Sequence, residues 1–231
     1  MAATSAVPAA PPLKLYMYDV CPWAVIARAI FGLKKVDHQL IFLGYHDVAT
    51  PVGLVGVKRS PILQLPTGEA FPESAGIVKY VDAHYGDGVL LKDASGREDL
   101  AAWSKRAVPD FTKLVWPRAG QSPLPEFAQK QARDTFRESK EQVAGSAFSE
   151  LLANTPQLLE KAEQHLVDLD AMLFSDRVFD EAGMSHDDLF VFGMVRGLTL
   201  VKGLTWPTKL RAYVEYFSEA ADIPLLNAMA I

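Results

Sequence analysis

Between Leu13 and Tyr85 the sequence alternates short apolar runs with helically spaced ones in the order β-α-β-α-β-β-α, and from Arg97 onward the strand signal disappears. That pattern restricts the chain to a small α/β unit followed by an all-helical one. Leu13 to Tyr18 reads as a strand, and Pro22 then sits at a helix start, where no amide donor is needed. Val25, Ile26, Ala29, Ile30 and Leu33 continue that helix, with Gly32 as its expected terminator. His38 to Leu43 is the second strand. Thr50-Pro51 predicts a cap and first position of a short helix ending near Val57. Ser60 to Leu65 and Ala70-Phe71 complete the strands around a Thr67-Gly68 turn. Glu73-Ser74 opens a helix with Ile77, Val78, Val81 and Tyr85 on one face.

The expected units are residues 13–86, a Gly- and Asp-rich linker at 87–96, and a helical unit at 97–231. Its predicted helices cover 97–113, 125–141, 147–153, 155–174, 185–203 and 208–221. Ser185-His186-Asp187-Asp188 has the spacing of a reciprocal cap. Residues 1–12, rich in Ala and Pro, lack the basic start and apolar centre of a secretory signal and read as a disordered leader; a remnant of organellar targeting is the other reading.

Of 231 residues, 49% are hydrophobic, enough for a core of this size, and the net charge of −5 argues against a nucleic-acid footprint. No run reaches the roughly 18 apolar residues that a membrane span needs. The five histidines are scattered, with no pair at metal-ligand spacing, so no metal is expected. The single cysteine, Cys21, precludes an internal disulfide and points to a reducing, cytoplasmic setting.

Cys21 lies between a strand and a helix, in Cys21-Pro22-Trp23-Ala24. The helix dipole and free amides there favour a thiolate, so the thiol pKa is expected to fall below about 8.5. Ser60-Pro61 reads either as an ordinary edge-strand proline or as a cis-proline turn that presents the preceding backbone to a ligand. Ser74 reads as a helix cap, or with Glu73 as a seat for a carboxylate and an ammonium. Trp103, Phe111, Trp116 and Phe127 read as core, with some available to line a groove facing Cys21.

Together these segments resemble the thioredoxin-fold site of glutaredoxins and cysteine-type glutathione transferases. Tyr16-Met17-Tyr18-Asp19, Ile30 to Lys34, Leu198 to Val201, Trp206-Pro207 and Met229-Ala230-Ile231 narrow the resemblance to two-domain bacterial glutaredoxins of the glutaredoxin-2 type. The resemblance implies an α/β thioredoxin-like domain plus an all-α domain, a glutathione-transferase-like architecture. It implies a glutathione-dependent thiol–disulfide oxidoreductase with Cys21 as nucleophile. Glutathione is then co-substrate, the partners are glutathionylated proteins or small mixed disulfides, and the protein acts as a monomer without nucleic acid or membrane. It assigns the Ser60 backbone to the cysteinyl part of glutathione, Pro61 to holding that turn, Glu73 and Ser74 to the γ-glutamyl end, Lys58 to the glycine carboxylate and Trp23 to shielding the sulfur.

One position departs from the family pattern Cys-Pro-x-Cys: Ala24 stands where the second cysteine falls. A one-thiol route follows, in which glutathione regenerates Cys21. Two alternatives share the fold: a cysteine-type glutathione transferase or dehydroascorbate reductase, and a non-catalytic glutathione-binding module. Iron–sulfur binding through Cys21 and glutathione in a dimer is a smaller alternative.

Overall fold

A computed structural model describes residues 12–231. The leader reading therefore falls almost wholly outside the described residues. Four strands form one mixed sheet: β1 (Leu13–Met17), β2 (His38–Phe42), β3 (Ile62–Gln64) and β4 (Ala70–Pro72), in the order β2-β1-β3-β4. β1 runs parallel to β2, with Leu15 opposite Leu40. It runs antiparallel to β3, with Tyr16 opposite Ile62, and β3 pairs antiparallel with β4. The parallel β1–β2 pair needs a crossover, and α1 (Pro22–Leu33) supplies it. α2 (Ala49–Val55) links β2 to β3, and α3 (Ser74–His84) packs beside α1.

Six longer helices follow: α4 (Glu98–Ala119), α5 (Lys130–Ala144), α6 (Phe148–Ala153), α7 (Thr155–Met172), α8 (His186–Arg196) and α9 (Thr208–Ala220). The main apolar core runs from Leu15 and Ile30 through Trp103 and Phe192 to Phe217, all fully buried, and a smaller cluster of Tyr16, Tyr18, Leu43 and Ile62 lies beside the sheet. α8 lies against α1, so the helical region bears directly on the element that carries Cys21 at its start.

Five local expectations are corrected. Gly32 does not end α1 but lies within it, where a Cβ would collide with the Ala221 carbonyl; the glycine serves a close approach by the chain after α9. The turn out of α1 instead places Lys35 at positive φ. α2 begins one residue before Thr50, and Asp47, not Thr50, supplies the capping oxygen, accepting from the Thr50 amide at 3.0 Å. The helix expected over 125–141 is a 3-10 turn, Pro125–Phe127, followed by α5. α4 runs past Pro117 to Ala119, and the predicted helix from Ser185 gives way after Arg196 to a 3-10 turn over Gly197–Leu200. The Ser185 cap forms as read: its hydroxyl accepts from the Asp187 amide, and Asp188 accepts from the Ser185 amide at 2.8 Å.

Candidate functional site

β1 delivers the chain to a tight turn in which the Cys21 amide donates to the Tyr18 carbonyl at 3.2 Å. Cys21 is the N-cap residue of α1, with extended backbone, and Pro22 occupies the first helical position. The residues before the sulfur are held by the helical region. Val20 donates its amide to Oε1 of Glu126 at 2.8 Å, and fully buried Arg196 donates to the Asp19 carbonyl at 2.6 Å. Arg196 also pairs with the Asp19 carboxylate at 3.2 Å, and Arg28 approaches the same carboxylate at 3.5 Å.

Burial pushes the Cys21 thiol pKa up, which corrects the expectation of a fall. The helix start does act in the expected direction: the amides of Ala24 and Trp23 lower the pKa, as does Lys140 across the groove. Glu126 opposes them. Loss of hydration outweighs the favourable dipole and charge, because a thiolate is stabilised by water as much as by amides. Ala24 is fully buried in the core, so the position of the second cysteine in the family pattern faces no solvent.

The Ser60-Pro61 peptide is cis and leads into β3, next to β1 in the sheet. The Ser60 hydroxyl is buried, and among the described residues it has no partner. Glu73 is the N-cap residue of α3 at φ 84°, a conformation that costs a non-glycine residue roughly 1–3 kcal/mol. This turn leaves the first amides of α3 unspent beside Ser74 and sends the Glu73 carboxylate to an ion pair with Arg59. Ser60, Pro61, Glu73, Ser74 and Trp23 thus share one notch of about 360 Å³.

Cys21 opens onto a second, larger recess of about 900 Å³ between the α/β region and helices α4 and α5. Trp23, half exposed, and Ser60 line both recesses, so the two meet beside the sulfur. Lys58 lies in the larger recess, where its ammonium donates to the Tyr45 carbonyl at 2.7 Å. Burial lowers its pKa. Of the aromatics read as core or groove, Trp116 lines the recess, while Trp103, Phe111 and Phe127 are buried.

The chain belongs to the glutaredoxin 2 family. The family described as "Glutaredoxin 2, C terminal domain" matches residues 99–230. Glutaredoxin 2 of Escherichia coli K12 is 36% identical over 219 residues, covering 95% of this chain and all of that protein. The crystal structure of glutaredoxin 2 from Salmonella typhimurium, solved in complex with glutathione, superposes with a TM-score of 0.89 at 36% identity, over 95% of this chain and 99% of that one. A glutathione transferase from Phanerochaete chrysosporium shares the fold alone, with a TM-score of 0.67 at 16% identity over 91% and 98% of the two chains.

Several residues at this glutaredoxin 2 family site escaped the sequence reading. Arg59 pairs with Glu73, Tyr45 and Lys140 form a wall of the recess, and Glu126 reaches the Cys21 turn. Only Glu126 carried a local signal: a lone carboxylate between Pro125 and Phe127, in an otherwise apolar stretch. Among the described residues no group of three or more His, Cys, Asp or Glu side chains is placed to hold a metal ion.

Proposed function

We propose that the protein reduces glutathione mixed disulfides by a one-cysteine route, with Cys21 as nucleophile. The observation that carries this is the placement of the chain's only thiol where a helix start, a cis-proline turn and the α3 N-terminus converge. In that arrangement the γ-glutamyl end of glutathione occupies the notch. Its carboxylate meets the Ser74 cap and the free amides of α3, and its ammonium meets Glu73. The Ser60 backbone pairs with the cysteinyl part, Pro61 holds the turn, Lys58 takes the glycine carboxylate, and Trp23 shields the sulfur.

The Cys21 thiolate attacks the glutathione sulfur of a protein–glutathione disulfide. The old S–S bond breaks, the protein leaves as a thiolate and takes a proton from solvent, and Cys21–glutathione remains. A second glutathione thiolate attacks the glutathione sulfur of that adduct, forming oxidised glutathione and restoring the Cys21 thiolate. The protein thiol is reduced and the one incoming glutathione is oxidised, joined to the glutathione already at the disulfide level, with no second protein thiol required. The functional units are residues 13–86 and 97–231 joined by 87–96, acting as a monomer in the cytoplasm. Among the described residues no helix is long and apolar enough to cross a membrane.

Turnover of the mixed disulfide of glutathione and 2-hydroxyethanethiol tests this, with intact mass after incubation with oxidised glutathione as a second readout. The expected results are turnover, one glutathione adduct removed by reduced glutathione, and loss of both in Cys21→Ser. Turnover retained in Cys21→Ser, or activity confined to dehydroascorbate or an aryl halide, overturns the assignment.

A further inference from the structure

The chain is acidic overall, yet the recess over Cys21 is lined by four cations, Lys58, Arg59, Lys113 and Lys140, and by no acidic residue. Three of the four have work within the protein. Arg59 pairs with Glu73, Lys113 lies 3.9 Å from Asp110, and Lys58 donates to the Tyr45 carbonyl. Lys140 differs. Among the described residues its ammonium meets no carboxylate and no carbonyl. It sits 4.9 Å from the Trp116 ring centre and 5.9 Å from those of Tyr45 and Phe136. Aromatic faces hold a cation in place but do not neutralise it. The charge therefore stays available on the α5 wall, opposite the notch at the α3 N-terminus.

The two recesses divide a mixed disulfide between them. The notch matches the amino-acid end of glutathione, leaving the larger recess for the group on the other sulfur. We infer that this recess selects mixed disulfides whose protein half carries carboxylates next to the glutathionylated cysteine, with Lys140 as the contact that recognises them. The inference rests on the mixed-disulfide reading above and adds the substrate class. An acidic segment gains the Lys140 charge and the apolar faces of Trp116 and Phe136; a basic segment meets the unpaired Lys140 charge at close range.

The test uses three glutathionylated peptides that differ only in Glu, Gln or Lys on both sides of the cysteine, with the 2-hydroxyethanethiol disulfide as a substrate without flanking charge. Lys140 also acts on Cys21, so the readout is the ratio of kcat/KM between peptides, in which thiol reactivity cancels. The ratio of Glu to Gln peptide is expected at about five-fold, the scale of one partly exposed ion pair. It should shrink in about 1 M salt, where the screening length falls to about 3 Å. Lys140→Gln should bring the ratio close to one, and Lys140→Glu should reverse the order of the Glu and Lys peptides. Equal kcat/KM for the three peptides, with the small disulfide turned over normally, overturns the inference alone. A preference that survives Lys140→Gln overturns the role of Lys140. No turnover of any disulfide, small or peptide, overturns instead the reading on which the inference rests.

Discussion

Glu126 is a carboxyl with no exposed surface, and its two oxygens have different fates: Oε1 accepts from the Val20 amide, and Oε2 has no partner among the described residues. Burial pushes its pKa up to about 7 from an ordinary 4.5, and the neighbouring Asp19 charge adds to the effect while the Val20 amide works against it. At about 1.4 kcal/mol per pH unit, that difference separates the two protonation states by about 3 kcal/mol. The folded protein holds this proton more tightly than the unfolded chain does. The stabilisation is thus fully present below about pH 4.5 and is lost as pH rises through about 7. Glu126→Gln keeps an oxygen for the Val20 amide but cannot ionise. Urea unfolding followed by tryptophan fluorescence, on both proteins at pH 5, 6, 7 and 8, measures the effect. Taking the difference between the two cancels other titrations, such as those of His38 and His186, whose pKa values burial lowers. The expected difference is under about 1 kcal/mol at pH 5 and grows to about 2–3 kcal/mol in favour of Gln at pH 8, some being given back with the charge-assisted bond to Val20. A difference that stays constant across the range would falsify the buried-carboxyl reasoning. A second readout follows from the same charge. Ionised Glu126 opposes the Cys21 thiolate, so the pH midpoint of Cys21 alkylation by iodoacetamide should fall in Glu126→Gln. An unchanged midpoint leaves Glu126 with only a structural role.

Gly193 of α8 faces the start of α1, where a Cβ would lie 2.6 Å from Cγ1 of Ile26 and 2.9 Å from the Pro22 carbonyl oxygen. Gly193→Ala should cost about 1–3 kcal/mol and slow disulfide turnover by displacing the turn that holds Cys21; denaturation midpoint and initial rates check both. Arg196→Met removes three buried hydrogen-bonded contacts to Asp19 and Pro224. It should destabilise by about 3 kcal/mol, since it leaves a partly buried carboxylate with only the 3.5 Å contact to Arg28, and equilibrium unfolding with a loss below 1 kcal/mol contradicts that. Ser185→Ala deletes the cap of α8 and should cost about 1 kcal/mol by the same measurement, with Cys21 alkylation unchanged. Ala24→Cys restores the family spacing at a buried position in the first turn of α1. Mild oxidation should then remove both thiols from a thiol count, whereas two thiols persisting show that the buried position cannot reach Cys21.

The strand and helix order could be read from the sequence because each element carries its own periodicity, and the Ser185 cap because its partners are two and three residues away. Gly32 was misread for the opposite reason. A glycine in a helix looks like a terminator locally, but here it admits a carbonyl from Ala221, far along the chain. Lone residues at the site follow the same division. Cys21, Ser60, Pro61, Glu73 and Ser74 announce themselves through short motifs at element starts. Glu126 and Arg196 act on Val20 and Asp19 across 106 and 177 positions, and no local pattern reports such a contact. The rise in the Cys21 pKa has the same origin: the dipole that lowers it is local, while the burial that raises it comes from packing of the whole fold.

On the proposed route the charges around Cys21 serve two steps. In the first step Cys21 attacks as a thiolate. Burial pushes its pKa up, so a charge that pulls it down gains more in thiolate fraction than it loses in nucleophilicity. In the second step Cys21 is expelled by glutathione, and lower basicity helps again. Lys140 supplies that pull from across the recess, and the amides of Trp23 and Ala24 supply it from the helix start. Both steps therefore ask the same of the charges around the sulfur, at a site with no second cysteine to resolve the adduct.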